Sequence, residues 1–244
     1  MTQPGIAIVV GVGAERGLGA AACRRFARGG LHVLAAGRTA PRLRAVVDAI
    51  RSDGGVATPV VADTTSEADV VRVFDVARDL GGALDVVVFN AGNNRIAPLT
   101  EMTASFFEET WRVACFGGFL VGREAARRML PQRHGTVLFT GATASLRSRP
   151  PFTAFASAKA GLRAVAQAMA RDLGPQGVHV AHVIVDGGID GERLRTAVPD
   201  FVAAKGPDGL LDPDAIAETY WQLHVQHPTA WTFELDLRPA KEPF

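Results

Sequence analysis

The chain has 244 residues, 48% of them apolar and 21% charged, with a formal net charge of +1. That length buries one sizeable core, and the balanced charge leaves no electrostatic footprint for nucleic acid or an anionic membrane surface. Cys23 and Cys115 lie in apolar helical patterns and the six histidines do not cluster, so a reduced, cytoplasmic protein without a metal site is expected.

No basic segment precedes the short apolar run in MTQPGIAIVVGVG, so no signal peptide is expected. The first strand is predicted at 6–10 (IAIVV), followed by a helix near 17–29 and a strand at 32–36. A helix at 40–52, a strand at 57–62, a helix at 66–80 and a strand at 84–89 continue the alternation. A long helix at 101–130, a strand at 136–140, a helix at 153–173 and a strand at 178–185 come next. The least regular stretch is 186–211, before a helix at 213–226 and a last, alternating strand at 231–237. Continuous apolar strands separated by helices predict a mainly parallel sheet buried on both faces, in a three-layer, doubly wound α/β domain spanning 1–244. No apolar run approaches the roughly 20 residues of a membrane span.

The first strand runs into GVGAERGLG, where Gly13, Gly17 and Gly19 form G-x-x-x-G-x-G with Leu18 between the last two. Glycines let the backbone turn tightly against a pyrophosphate, and the following helix presents free N–H groups. Dinucleotide binding is therefore predicted at this loop. The end of the second strand is where an adenosine ribose is read, by an acid for a 2′-hydroxyl or by cations for a 2′-phosphate. LAAGRT puts Gly37 in the acid's place and Arg38 beside it, with Arg16 inside the glycine loop, so NADP(H) is favoured over NAD(H). Two solvated arginines in an arginine-rich chain are the other reading.

These glycines, with ADTT after the third strand and FNAG after the fourth, resemble the short-chain dehydrogenase/reductase family over essentially the whole chain. The resemblance implies a Rossmann fold, an adenine contact at Asp63 and a cofactor cleft along Asn90, Ala91 and Gly92. It also implies a catalytic set of Asn, Ser, Tyr and Lys, in which the tyrosine is the acid/base and the lysine holds the nicotinamide ribose. Lys159 matches the lysine, but Phe155 stands at the tyrosine position, Ala142 at the serine position and Ala114 at the asparagine position. The alternative tyrosine of the family's enoyl reductases falls on Phe152, and Asp186-Gly187 replaces the usual proline-glycine turn. The cofactor half of the pattern is intact; the proton half is not.

General acid catalysis typically contributes ~10²–10⁴-fold, so another donor is needed for turnover. Thr143, Thr140, Lys159 itself, Asn93 and Asn94 are the candidates, with Thr143 the nearest hydroxyl in register. Ser157 points away from the face shared by Phe155 and Lys159. Tyr220, the one tyrosine, reads as packing in a late helix, and His182 as a strand residue. The expectation is an NADP(H)-binding oxidoreductase with a non-standard site. Its substrate would be a small apolar carbonyl or alcohol near Phe116, Phe119, Phe152 and Phe155. The 186–211 segment reads either as a cap over that substrate or as an ordinary surface excursion. The alternative is a catalytically silent NADP-binding sensor or partner subunit. Family resemblance implies a homodimer or homotetramer through 112–130 and 153–173, although the ending TAWTFELDLRPAKEPF departs from the usual one.

Overall fold

The computed structural model describes residues 3–242; Met1 and Thr2 of the expected signal-free start, and Pro243 and Phe244 of the divergent ending, lie outside the described residues. The strands are β1 (Ile6–Val10), β2 (His32–Gly37), β3 (Val56–Val61), β4 (Leu84–Phe89), β5 (Thr136–Thr140), β6 (His179–Val185) and β7 (Glu234–Leu237). They form one sheet in the order β3-β2-β1-β4-β5-β6-β7. Every pairing is parallel, so the sheet is wholly rather than mainly parallel. Parallel neighbours need crossover connections, which here are helical. All residues of β1, β5 and β6 are buried, which is why they read as largely apolar runs without alternation.

The helices are α1 (Leu18–Arg28), α2 (Ala40–Ser52), α3 (Glu67–Asp79), α4 (Ala104–Trp111), α5 (Gly117–Met129), α6 (Thr153–Leu173), α7 (Glu192–Ala197), α8 (Pro199–Lys205) and α9 (Pro213–His224). One core packs α3, α5 and α6 on the sheet through Phe74, Leu120 and Leu162. The other packs α1, α2 and α9 on the opposite face through Phe26, Val47 and Tyr220. The chain reverses winding at β1, which lies between β2 and β4. A crevice therefore opens at the carboxyl ends of β1 and β4, where open α/β sheets place ligands. At the edge of the sheet, β3 carries Pro59 in register with Ala35.

The sequence expectation departs from the structure in three places. The helix expected over 101–130 is broken. A 3₁₀ turn at Leu99–Glu101 precedes α4, whose start is capped by Thr103 accepting from Phe106 N at 3.1 Å. A π-helical turn at Arg112–Phe116 then leads into α5. Glycines in α5 let it sit close to α6: a Cβ at Gly118 would lie 2.2 Å from Leu162 Cδ1, and one at Gly122 2.7 Å from Met169 Sδ. The last strand is shorter than 231–237, because Thr232 N donates to Gln226 Oε1 at 2.8 Å and Trp231 stacks on His179 with centroids 4.9 Å apart. Finally, 186–211 is not irregular throughout, since it contains α7 and α8 and closes with an Ile189–Leu211 bridge. Among the described residues no helix is long and apolar enough to cross a membrane.

Candidate active site

The glycine loop links β1 to α1. Gly17 begins the helix with no side-chain cap and no acidic residue in the first turn, which leaves first-turn N–H groups, Leu18 and Gly19 among them, for an anion. A Cβ on Gly13 would meet nothing within 4 Å, so its outer side is open to a ligand. A Cβ on Gly19 would lie 2.9 Å from Gly11 O and 3.2 Å from Asn90 Nδ2, so only glycine fits that close approach. Asn90 Nδ2 donates to Gly11 O at 3.3 Å and ties the end of β4 to that of β1, with Ala91 buried beside it. Asp63 Oδ1 accepts from Thr65 N at 2.9 Å and Thr65 Oγ1 at 2.8 Å, ordering the turn after β3. Beyond Gly92, the Oδ1 of Asn93 is buried with no partner, an acceptor left for a ligand donor. An open glycine cradle, an uncapped helix start and an orphaned acceptor fit a dinucleotide.

The two arginines expected to share a phosphate stand in different surroundings. Arg38 is exposed at the end of β2, whereas Arg16 Nη2 is turned to Asp190 Oδ2 at 2.7 Å. The attraction is simple: Asp190 is the nearest carboxylate, brought across by the 186–211 segment. Arg195 grips the same carboxylate at 2.5 Å. Hydrogen bonds from Arg195 and Arg16 hold the Asp190 carboxyl below the usual range. Arg193 Nη2 reaches Asn94 Oδ1 at 3.2 Å, so the segment crosses from the glycine loop to the loop after β4.

Lys159 forms the floor of the crevice. It is buried, its Nζ donates to Thr140 O at 2.7 Å, and burial lowers its pKa to about 8. A Cβ on Gly92 would lie 3.4 Å from Nζ, which puts the lysine against the cofactor loop. The Phe155 ring, one helical turn earlier, has its centroid 5.8 Å from Nζ and is half-buried. Ala114, on the π-helical turn, is buried against Cys115 and Ala158. Ala142 N donates to Ser145 Oγ at 3.1 Å, and Ser145 Oγ lies 3.4 Å from His182 Nε2. His182 Nδ1 is 2.9 Å from Glu234 Oε2, and Arg163 pairs with both oxygens of Glu234 at 2.6 and 2.7 Å. This Ser–His–Glu series is a scaffold, not a nucleophile: Ser145 is buried, and its oxygen holds the Ala142 N–H. Burial lowers the His182 pKa to about 4.

Thr143, half-buried at the end of β5, donates its hydroxyl to Asp186 Oδ1. Asp186 is buried at the end of β6, where Arg238 Nη2 approaches Oδ2 at 2.6 Å and Arg147 Nη2 at 3.2 Å. Sequence reasoning treated Asp186 only as a changed turn and missed Arg147 and Arg238. The available signal was a carboxylate directly after seven buried strand residues. Thr140, the other hydroxyl candidate, is excluded from the crevice because its Oγ1 is 2.7 Å from Tyr220 Oη on the α9 side of the sheet. Tyr220 is wholly buried, and burial pushes its hydroxyl pKa well up. The four phenylalanines do not form one wall. Phe116 stacks with Trp111 and contacts Phe119, beneath Arg112 and Arg123, and among the described residues no ring contact joins them to Phe152 or Phe155.

Residues 6–199 match the short chain dehydrogenase family. A short-chain dehydrogenase from Rhodopseudomonas palustris, known from its crystal structure, superposes with a TM-score of 0.83 at 39% identity, covering 98% of this chain and 100% of that one. The short-chain dehydrogenase/reductase eriH of Hericium erinaceus is 33% identical over 184 residues, 73% of this chain and 72% of that one. The uncharacterized oxidoreductase YuxG of Bacillus subtilis (strain 168) is 32% identical over 85% of this chain, which spans 30% of that protein's length. The chain thus belongs to the short-chain dehydrogenase/reductase family, a family of oxidoreductases that bind nicotinamide dinucleotides.

Proposed function

We propose that this chain is an NADP(H)-dependent oxidoreductase of small apolar alcohols or carbonyls, in which Thr143 and Asp186 handle the proton in place of a tyrosine. The observation that carries this reading is the Thr143 hydroxyl bonded to a buried carboxylate at the strand ends beside Lys159. A bound nicotinamide dinucleotide supplies the hydride donor or acceptor. Gly13, Gly17, Leu18 and Gly19 would hold its pyrophosphate, Arg16 and Arg38 its 2′-phosphate, and Asp63 its adenine. Asn90, Ala91 and Gly92 would line the cleft, with Lys159 on the nicotinamide ribose. In alcohol oxidation the substrate O–H proton passes to Thr143 Oγ1 as Thr143's own proton passes to Asp186 Oδ1. Arg147 and Arg238 hold Asp186 in place for that transfer. An apolar substrate is supported by the exposed side chains of Ile96 and Leu146, and by the bond from Ala97 N to Pro151 O at 3.4 Å, which brings the loop after β4 to the start of α6.

A second reading, a catalytically silent NADP-binding protein, is favoured by one observation. Lys159, with Phe155 a turn earlier, spends its bond on Thr140 O. The experiment runs NADPH oxidation and NADP⁺ reduction over a panel of aldehydes, ketones and alcohols, with NADPH binding titrated in parallel. Wild-type turnover that falls ~10²–10⁴-fold in Thr143→Val, with binding kept, supports the relay. Tight binding with turnover only in Phe155→Tyr or Ala142→Ser/Phe155→Tyr supports the silent reading.

A further inference from the structure

The strap from Asp190 to Arg195 lies on the phosphate end of the cofactor cradle. Asp190 occupies Arg16, and Glu192 Oε1 lies 3.6 Å from Arg42 Nη2, the next arginine along from Arg38 at the start of α2. Glu192 N donates to Arg16 O at 2.8 Å, a main-chain contact between strap and glycine loop. Gly191 makes this possible, since a Cβ there would sit 2.9 Å from Arg16 O. Asp190 N donates to Leu211 O, and Leu211 N to Gly188 O, each at 2.8 Å, so both limbs of the strap are pinned together.

We infer that Asp190 and Glu192 act as built-in competitors for the phosphate of a 2′-phosphorylated dinucleotide and thereby set cofactor affinity and selectivity. The inference rests on the NADP(H) reading above. The two carboxylates neutralise guanidinium groups that a phosphate dianion engages more strongly and with matched geometry. The pairs are weak enough to exchange. Arg16, Arg42 and Glu192 each keep more than half of their side-chain surface exposed, so solvent screens both pairs, although Asp190 itself is only 22% exposed. A dinucleotide without the 2′-phosphate places no group there and need not displace them, so the strap weighs on NADP(H) binding and much less on NAD(H).

The test titrates NADPH and NADH against the wild type, Asp190→Asn and Glu192→Gln by protein fluorescence, with limited proteolysis of each protein without cofactor. The expected result is roughly 2- to 5-fold tighter NADPH binding in each variant, a smaller change for NADH, and faster cleavage within 186–211. NADPH binding that appears only in the variants also supports the inference. Unchanged or weaker NADPH binding in both variants, with normal wild-type binding, overturns it and leaves the cofactor reading standing. Equal tightening for NADH overturns the 2′-phosphate assignment. Absence of NADPH binding in all three proteins overturns the inference and the cofactor reading together.

Discussion

The two halves of the sheet's carboxyl edge are built from different materials. At β1 and β4 the backbone shapes the edge, through Gly13, an uncapped helix start and the Asn90 bond to Gly11 O. At β5, β6 and β7 side chains shape it instead: Lys159 on Thr140 O, Thr143 on Asp186 under two arginines, and His182 between Ser145 and Glu234. A backbone cradle is defined by what is absent, so it tolerates ligand exchange but not added volume. A charged network is defined by what each member neutralises, so it tolerates little loss of any one partner.

The strongest test of that contrast adds a side chain to the first half. Gly19→Val pushes carbon into Gly11 O and Asn90, a backbone clash that costs about 1–3 kcal/mol. NADPH binding should weaken roughly tenfold to hundredfold, while Lys159 and its surroundings stay in place. Unchanged binding by titration would mean that the cofactor does not lie on this loop.

In the second half, Glu234→Gln removes the charge that pairs with Arg163 and His182. Stability should fall by about 2 kcal/mol, since hydrogen bonds to charged groups are worth ~1.5–3 kcal/mol and Glu234 is partly exposed. Urea unfolding measures it. The same network sets an acid limit. His182 has its native pKa depressed from 6.5 to about 4, so as pH falls through this window the unfolded chain takes up the proton first and stability is lost. Glu234, whose pKa Arg163 lowers from 4.5, adds a further loss below that value. Melting temperature measured from pH 7 to 4 should decline steeply in the wild type and more gently in His182→Asn. Parallel curves would remove His182 as the cause.

The smallest expected effect is that of Tyr220→Phe. It leaves the buried Thr140 hydroxyl without its partner and should cost about 1 kcal/mol in urea unfolding, with NADPH binding and any turnover unchanged. A change in turnover would place the tyrosine in the chemistry after all.

The same contrast explains what the sequence revealed. The glycine loop, its strand and its helix lie within adjacent residues, so spacing alone exposed Gly13, Gly17 and Gly19. Lys159 and Phe155 were equally visible, one turn apart on α6. The Thr143–Asp186–Arg238 cluster draws on three strand ends and exists only once β5, β6 and β7 have paired. Arg16 could be flagged as a cation, but its partner Asp190 is 174 residues away. The break in the long helix was hidden for a different reason: a π turn keeps the apolar pattern while shifting the register of the helix beyond it.

Pro59 carries a consequence for how this molecule behaves in a crowd. An unpaired sheet edge invites another chain to add a strand, and β3 is such an edge, with Val56 and Val61 about half exposed. Proline has no N–H to donate, so its position within the ladder to β2 requires its nitrogen to face outward. An incoming strand would find no donor at the midpoint of the edge. Strand addition from this side is therefore disfavoured by the covalent structure of one ring, a brake that depends on neither pH nor salt concentration.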